Sequence, residues 1–323
     1  MIEKACAPNI RFQKLEALKR RLSSTHSQWP EVVTSYNSMK TGLDGERSLD
    51  FYLDLLPDSK YYIFHDLRLK YKNYFFQIDT LVLCTSFGLN LEVKKLTGGL
   101  FFDKNFNQLI VNKRNRRKNP VQQAKMQTQK LKLWLEEHNC PALPIHYLFV
   151  NSNEDAVIRT DPENEEITRN ICNSEVLIDK IEQMEKYYST EQLTEKELRK
   201  IRRLLLLNHT PDDPDILKEY HTSPKDIIPG AQCPQCKAIP MKYKSGTWHC
   251  PTCGYISKTA HIQAINDYFL LIKPSITNAE LREFLHLPSR KISYHILNSM
   301  GFPFSGRNKG RVYFPSPPLK IKN

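Results

Sequence analysis

The stretch FFQIDTLVLCTSFGLNLEVK, residues 75–94, decides the fold. Residues 75–84 form a β-rich apolar run broken only by Gln77 and Asp79 among its first positions. Ser86-Phe87-Gly88 is a turn, and 89–96 is a second β-rich run, so the stretch predicts a hairpin. Working outward, 61–69 reads as a preceding strand, with Tyr71-Lys72-Asn73 as its turn. Gly98-Gly99 turns the chain again, and 100–102 and 108–111 read as short strands, giving a meander of three to five strands.

Helices surround this meander. Phe12, Leu15, Leu18 and Leu22 recur at helical spacing, predicting a helix over 9–22 that packs on the domain that follows. Trp29-Pro30 breaks it, and a second helix is expected over about 32–55, with Leu49, Leu53 and Leu56 continuing its apolar side. After the basic run 113–118, read as a loop, Asn119-Pro120 opens a helix to about 138. Met126, Leu131, Trp134 and Leu135 should share its buried side. A strand is expected at 145–150, a polar stretch at 151–164, a short strand near 175–178 and charged helices over 179–207.

Within the opening hairpin one spacing carries chemistry. Side chains alternate along a strand, so Glu92 and Lys94 share a face and Val93 points away. Asp79 lies on the neighbouring strand, where an acid among apolar residues is costly unless a cation or hydrogen bonds compensate it. Two carboxylates on paired strands suit a hard divalent cation such as Mg²⁺. Such an ion would stabilise charge on a phosphodiester and help generate hydroxide, and Lys94 could orient the nucleophile or meet the developing charge. The same three residues also fit a structural salt bridge between the strands.

The surroundings of this constellation resemble the nuclease-related domain family, part of the wider PD-(D/E)xK endonuclease-like fold. The matching pieces stand in order: Gly42-x-x-Gly45-Glu46, Gln77-Ile78-Asp79, Gly88 before Leu91-Glu92-Val93-Lys94, Gly98-Gly99, Asn119-Pro120-x-x-Gln123, and the strand ending at Val150-Asn151. The resemblance covers roughly residues 42–151. It implies a restriction-endonuclease-like central mixed sheet flanked by helices. It also implies Asp79 and Glu92 as ligands of Mg²⁺ or Mn²⁺ and Lys94 as the catalytic lysine. Glu46 becomes a helical acid facing the same site, and Gln123 a polar site residue. Outside that context Glu46 is an ordinary exposed helix residue and Gln123 a helix-start hydrogen-bonding group. The first acid follows Gln-Ile where the broad superfamily has Pro.

The C-terminal third differs in charge. Residues 230–323 hold 13 Lys and Arg against 3 Asp and Glu, which is +10 of the chain's +12. That excess points to a polyanion-binding module, or to a merely basic surface. Cys233-x-x-Cys236 and Cys250-x-x-Cys253, 13 residues apart, have the spacing of a Cys₄ zinc ribbon with strands at 241–243 and 247–249. Four thiolates close the site, so one structural Zn²⁺ is expected. Redox pairs and an iron–sulfur cluster are the alternatives, and His249 is surplus. Cys6, Cys84, Cys140 and Cys172 are scattered, unlike a disulfide framework.

Beyond the ribbon, helices are expected over 260–272, from the Thr277/Glu280 capping box to 286, and over 290–300, then a hairpin over 302–314. This order resembles a winged-helix domain. It would turn Arg290, Lys291 and Tyr294 of its third helix, with Ser289, His295 and Asn298, toward nucleic acid, leaving Ile292, Ile296 and Leu297 as core. Arg307, Lys309 and Arg311 would meet phosphates from the wing. A protein-binding winged helix is the alternative. Arg114, Arg116, Arg117 and Lys118 are further candidate backbone contacts, or a solvated loop.

These readings divide the chain into a helical extension (1–30), the nuclease-like domain (31–208), a linker (209–229), the ribbon (230–258) and the winged-helix-like domain (259–323). No apolar run reaches the 18 or so residues of a membrane span, and residues 1–11 lack a signal-peptide core, so a cytoplasmic protein is expected. The expected activity is Mg²⁺-dependent hydrolysis of DNA, duplex or branched, by an endodeoxyribonuclease. The alternatives are a catalytically weak nuclease fold that binds DNA, and a nuclease acting on RNA.

Overall fold

The computed structural model describes residues 1–316. The expected C-terminal domain runs to 323, and its positions 317–323 lie outside the described residues. The chain divides into two compact units, residues 1–9 with 38–212, and residues 10–37 with those from 213 onward.

In chain order the elements begin with β1 (Ile2–Lys4), α1 (Ile10–Arg21), α2 (Trp29–Ser48) and α3 (Asp50–Leu53). Next come β2 (Tyr62–Tyr71), β3 (Tyr74–Leu83), β4 (Gly88–Lys94), β5 (Gly99–Asp103), β6 (Gln108–Val111) and β7 (Asn115–Arg117). The first unit is completed by α4 (Pro120–Glu137), β8 (Ile145–Asn151), β9 (Val157–Thr160), α5 (Glu165–Arg169), β10 (Ile171–Asn173), α6 (Leu177–Tyr187) and α7 (Glu195–Asn208).

Six strands form a mixed sheet in the order β1-β2-β3-β4-β8-β10. The β2–β3 and β3–β4 pairs are antiparallel, and β1–β2, β4–β8 and β8–β10 are parallel. Apolar clusters cover both faces. Leu131, Trp134 and Leu135 of α4 and Leu198, Ile201 and Leu205 of α7 lie on one; Leu49 and Leu53 around α3 and Leu177 and Ile181 of α6 lie on the other. Two covered faces explain why β4 is buried almost throughout, its alternating polar residues Asn90 and Glu92 included.

Several local expectations change. The meander splits: at Gly98 the chain leaves the large sheet, and β7-β6-β5-β9 form a second one. Gly98 has φ +81°, and a Cβ there would stand 2.2 Å from Asn112 Oδ1, so the exit turn requires glycine. The basic run is partly the strand β7 rather than a loop, because β6 offers it a free edge. The polar stretch holds β9, whose half-exposed pattern disguised it. The strand expected near 175–178 is instead β10, just upstream; the apolar residues from Leu177 begin α6. The helix expected over 32–55 stops at Ser48, and Trp29-Pro30 starts α2 rather than merely ending α1. Met126 is exposed; Val121, Ala124 and Thr128 complete the buried side of α4.

The second unit contains α1, the start of α2, α8 (Ile216–Glu219), β11 (Lys242–Lys244), β12 (Thr247–His249), β13 (Ile256–Ser257), α9 (Ala260–Leu271), β14 (Ile276–Thr277), α10 (Asn278–Phe284), α11 (Arg290–Ser299), β15 (Phe304–Ser305) and β16 (Val312–Tyr313). Helix α1 belongs to the second unit and packs there on α8 and α9, whereas the sequence predicts a helix that packs on the domain that follows it. Its fully buried Arg21 gives the reason. Arg21 Nε donates to Asp267 Oδ2 at 2.7 Å, and Nη1 donates to the Ile228 and Gly230 carbonyls at 2.8 and 3.0 Å. The guanidinium also lies over the Phe284 ring. A buried guanidinium needs such partners, and they are supplied by residues more than 200 positions away.

Among the described residues, β11-β12-β13 form one three-stranded antiparallel sheet and β14-β16-β15 another. The Thr277/Glu280 capping box starts α10 as expected.

Candidate active site and metal centre

The main-chain ladder between β3 and β4 runs from Leu83↔Gly88 to Thr80↔Leu91 and stops there. One more step would oppose Asp79 and Glu92. Instead Asp79 Oδ2 accepts the Val93 N–H at 3.0 Å, so a carboxylate takes the place of a main-chain acceptor. Strand β4 continues along β8, with Glu92 opposite Phe149 and Lys94 opposite Asn151. The Lys94 ammonium is ion-paired with Glu92 and lies 3.6 Å from Asp79 Oδ2. Exposure rises from Glu92 at 1% through Asp79 at 13% to Lys94 at 39%, so the group opens to solvent at its lysine.

Glu46, on α2, joins them electrostatically. Burial, then the charges of Asp79 and Asp66, push its carboxyl up to about 8. Burial, then Asp79, push Glu92 up to about 8 as well. Burial pulls Lys94 toward neutrality, but Asp79 and Glu92 outweigh it and hold the ammonium charged. Gly45 lets α2 come close: a Cβ there would stand 2.9 Å from Ser152 Oγ and 3.3 Å from Lys95 Cβ. Asn151, at the end of β8, accepts the Leu96 N–H at 2.9 Å and donates to the Leu96 carbonyl at 3.3 Å, fixing the segment after Lys94. Gln123 lies half-buried in the first turn of α4, and no hydrogen bond or ion pair connects it to the acids.

One acid escaped the sequence reading. Asp66 lies in β2 opposite Asp79, between the registered pairs His65↔Thr80 and Leu67↔Ile78. Its φ is +51°, an uncommon left-handed value in mid-strand. It accepts from Gln77 Nε2 at 2.6 Å and pairs with Lys4 at 3.4 Å. Its signal was the one that singled out Asp79, a carboxylate inside a β-rich run, here Phe64-His65-Asp66-Leu67.

Arg114, Arg116, Arg117 and Lys118 are all exposed in and around β7, and none has a carboxylate partner among the described residues.

The four cysteines of the second unit do converge. Cys233, Cys236, Cys250 and Cys253 place their Sγ atoms within 4.8 Å of one another and could hold a metal ion. No other group of three or more His, Cys, Asp or Glu ligands closes this tightly among the described residues. The two knuckles repeat one geometry. Lys237 N–H donates to the Cys233 carbonyl and Gly254 N–H to the Cys250 carbonyl, with φ of +64° and +73° at the two donors. His249 bonds Thr247 Oγ1 and stays outside the cluster.

On α11, Arg290, Lys291 and Tyr294 are exposed, while Ile296 and Leu297 are buried and Ile292 is half-buried. Arg290, Lys291 and Tyr294 line one open cleft with Lys309 and Arg311 of the hairpin; Arg307 is outside its lining.

Residues 41–152 match the family model of the nuclease-related domain. No curated protein and no solved structure matches the chain. No helix among the described residues is long and apolar enough to cross a membrane.

Proposed function

Starting from a chain that carries a nuclease-related domain, we propose a metal-dependent nuclease that hydrolyses DNA phosphodiester bonds, duplex or branched. The observation that carries the reading is the side-by-side pair Asp79 and Glu92 on adjacent strands, with Lys94 joined to both. A hard divalent cation fits this donor set. Carboxylate oxygens are its preferred ligands, and burial, with Asp79 beside them, drives Glu46 and Glu92 to hold protons that a cation would release. Asp79 and Glu92 would hold the ion, with Glu46 as an additional acid. Bound there, Mg²⁺ or Mn²⁺ supplies Lewis-acid charge and lowers the pKa of water. The chain's own residues do the rest. The Val93 N–H fixes the Asp79 carboxylate. Lys94, kept protonated by its two carboxylates, presents positive charge where negative charge develops on phosphorus.

In the second unit, four thiolates closing a tetrahedral site would hold one structural Zn²⁺. Helices α9, α10 and α11 with the strand order β14-β16-β15 support a winged-helix reading, in which this unit holds the nucleic acid. Reduced, scattered thiols suit a cytoplasmic setting.

The test is cleavage of duplex, branched and single-stranded DNA, and of RNA, with and without Mg²⁺ or Mn²⁺. Asp79→Ala and Glu92→Ala should each lower the rate by at least about 10²–10³-fold. A wild-type protein that cuts nothing with either metal would sink the enzymatic reading. Wild-type rates in both variants would sink the site assignment.

A further inference from the structure

The β7-β6-β5-β9 sheet has two unlike faces. On one, Leu100, Phe102 and Leu109 pack with Val121, Phe149 and Ile167, and Val111 and Ile158 join them. Side chains alternate along each strand, so the registers Ile110↔Arg116, Phe101↔Ile110 and Phe101↔Arg159 align one residue per strand on the opposite face. The row reads Arg116, Ile110, Phe101, Arg159. Its two central members are half-buried and apolar, and each edge strand adds an exposed arginine. Gly99, two residues before Phe101 and on the same face, has open space where a Cβ would stand.

The row is pinned by its turn. Asn112 and Lys113, with φ of +52° and +63°, link β6 to β7, and the Arg114 N–H donates to the Val111 carbonyl at 3.3 Å. Asn112 Oδ1 accepts the Gly99 N–H at 2.9 Å and ties the turn to β5. A slip of one residue would send Arg116 to the other face, so this turn is what keeps it outward.

The acids of this sheet are engaged elsewhere. Asp103 accepts the Phe106 N–H at 2.7 Å and Asp161 the Lys104 N–H at 2.9 Å, while Glu163 and Glu166 pair with Lys104 and Lys125. Among the described residues no carboxylate pairs with Arg116 or Arg159, those of Glu154 and Asp155 in the loop before β9 included. The sheet also grows out of the candidate site. Strand β5 starts five residues after Lys94, and the Val157 N–H at the start of β9 donates to the Gly98 carbonyl at 3.0 Å. Five residues reach at most about 18 Å, roughly the length of five base pairs.

We propose that this face is a nucleic-acid contact belonging to the first unit itself. Arg116 and Arg159 meet backbone phosphates, and Phe101 and Ile110 pack against the sugars between them. With neighbouring strands about 4.8 Å apart, the two arginines flank the apolar pair across three strand spacings. A nucleic-acid backbone matches both parts of the row, and it is the polyanion that the adjoining acids would cut. The inference rests on the nuclease reading and goes beyond it by giving the first unit its own binding surface.

The experiment uses the full chain carrying Asp79→Ala, without added Mg²⁺ or chelator. Fluorescence anisotropy reads binding to a labelled 20-base-pair DNA duplex over a salt series, with labelled polyglutamate as a second probe. Arg116→Ala with Arg159→Ala should weaken duplex binding about tenfold and reduce the slope of log affinity against log salt by about two. Arg116→Lys with Arg159→Lys, which keeps both charges, should restore most of the affinity. Lys104→Ala with Lys125→Ala removes two charges that already have acidic partners and should bind like the parent. A double-alanine variant that binds DNA like its parent overturns the inference. So does a loss matched by the Lys104 and Lys125 variant, which would reduce the effect to net charge. An equal proportional loss on polyglutamate also overturns it and makes the face a site for acidic protein. If the parent itself binds no DNA, the nuclease reading falls together with the inference.

Discussion

The acid site of the first unit and the basic cleft of the second handle like charge in opposite ways. Glu46, Asp66, Asp79 and Glu92 are drawn together under burial, with Lys94 and Lys4 as their cations. Arg282, Arg290, Lys291, Lys309 and Arg311 stand around open space with no carboxylate partner among the described residues. Buried like charges respond by taking up protons, whereas exposed ones remain ionised and are satisfied by water and salt ions. The first arrangement is therefore expected to be sensitive to pH and divalent cations, the second to ionic strength.

The cysteine cluster is the tightest set of ligands that could hold a cation among the described residues. Cys233→Ser with Cys250→Ser should abolish metal binding, from about one zinc per chain to none by metal analysis, and should unfold the β11–β13 region. Zinc absent from the wild type would remove the ribbon. Next in size is Arg21, a buried charge with every partner supplied by its own unit. Arg21→Ala leaves the buried Asp267 with only the longer Arg20 pair at 3.6 Å and should destabilise the second unit by about 3 kcal/mol in denaturant titrations. A loss under 1 kcal/mol would mean that α1 is not anchored by this residue.

The acid site carries a pH prediction. Glu46 and Glu92 have folded-state pKa values raised to about 8, above the ordinary carboxylate value of 4.5. Between those limits the folded state binds more protons than the unfolded one, so stability of the metal-free protein falls as pH rises from about 4.5 to about 8. Glu92→Gln should flatten that slope, and the thermal stabilisation by Mg²⁺ should be larger at pH 8.5 than at pH 6. A flat profile in the wild type would show the acids to be already compensated. The smallest effect belongs to the cleft. Each of Arg290→Ala and Lys309→Ala should reduce the slope of log affinity against log salt by about one, with folding unchanged. An unchanged slope would place the phosphates elsewhere.

Strand parity made Asp79, Glu92 and Lys94 legible, because a two-residue period assigns faces before any fold is known. The cysteine spacing was legible for a similar reason, since each knuckle is local. Glu46 came only through family resemblance, and its electrostatic link to Asp79 depends on the close approach of α2 at Gly45. Asp66 and Lys4 were missed because one needs a left-handed residue in mid-strand and the other a parallel pairing across some sixty residues. Strands β9 and β10 were missed or misplaced because short strands have too few residues to establish a period.

By itself the sequence determined which groups could do chemistry: an acid–acid–lysine set on one hairpin, four thiols in two local turns, and a charge excess confined to one third of the chain. Tertiary structure alone decided what those groups meet. It set Asp66 opposite Asp79, gave Arg21 to Asp267 of α9, and gathered the polar start of α11 with Lys309 and Arg311 around one open cleft. The physical reason is range. Spacing and periodicity act over a few residues, while burial and the partners of buried charge are settled by segments far apart in the chain.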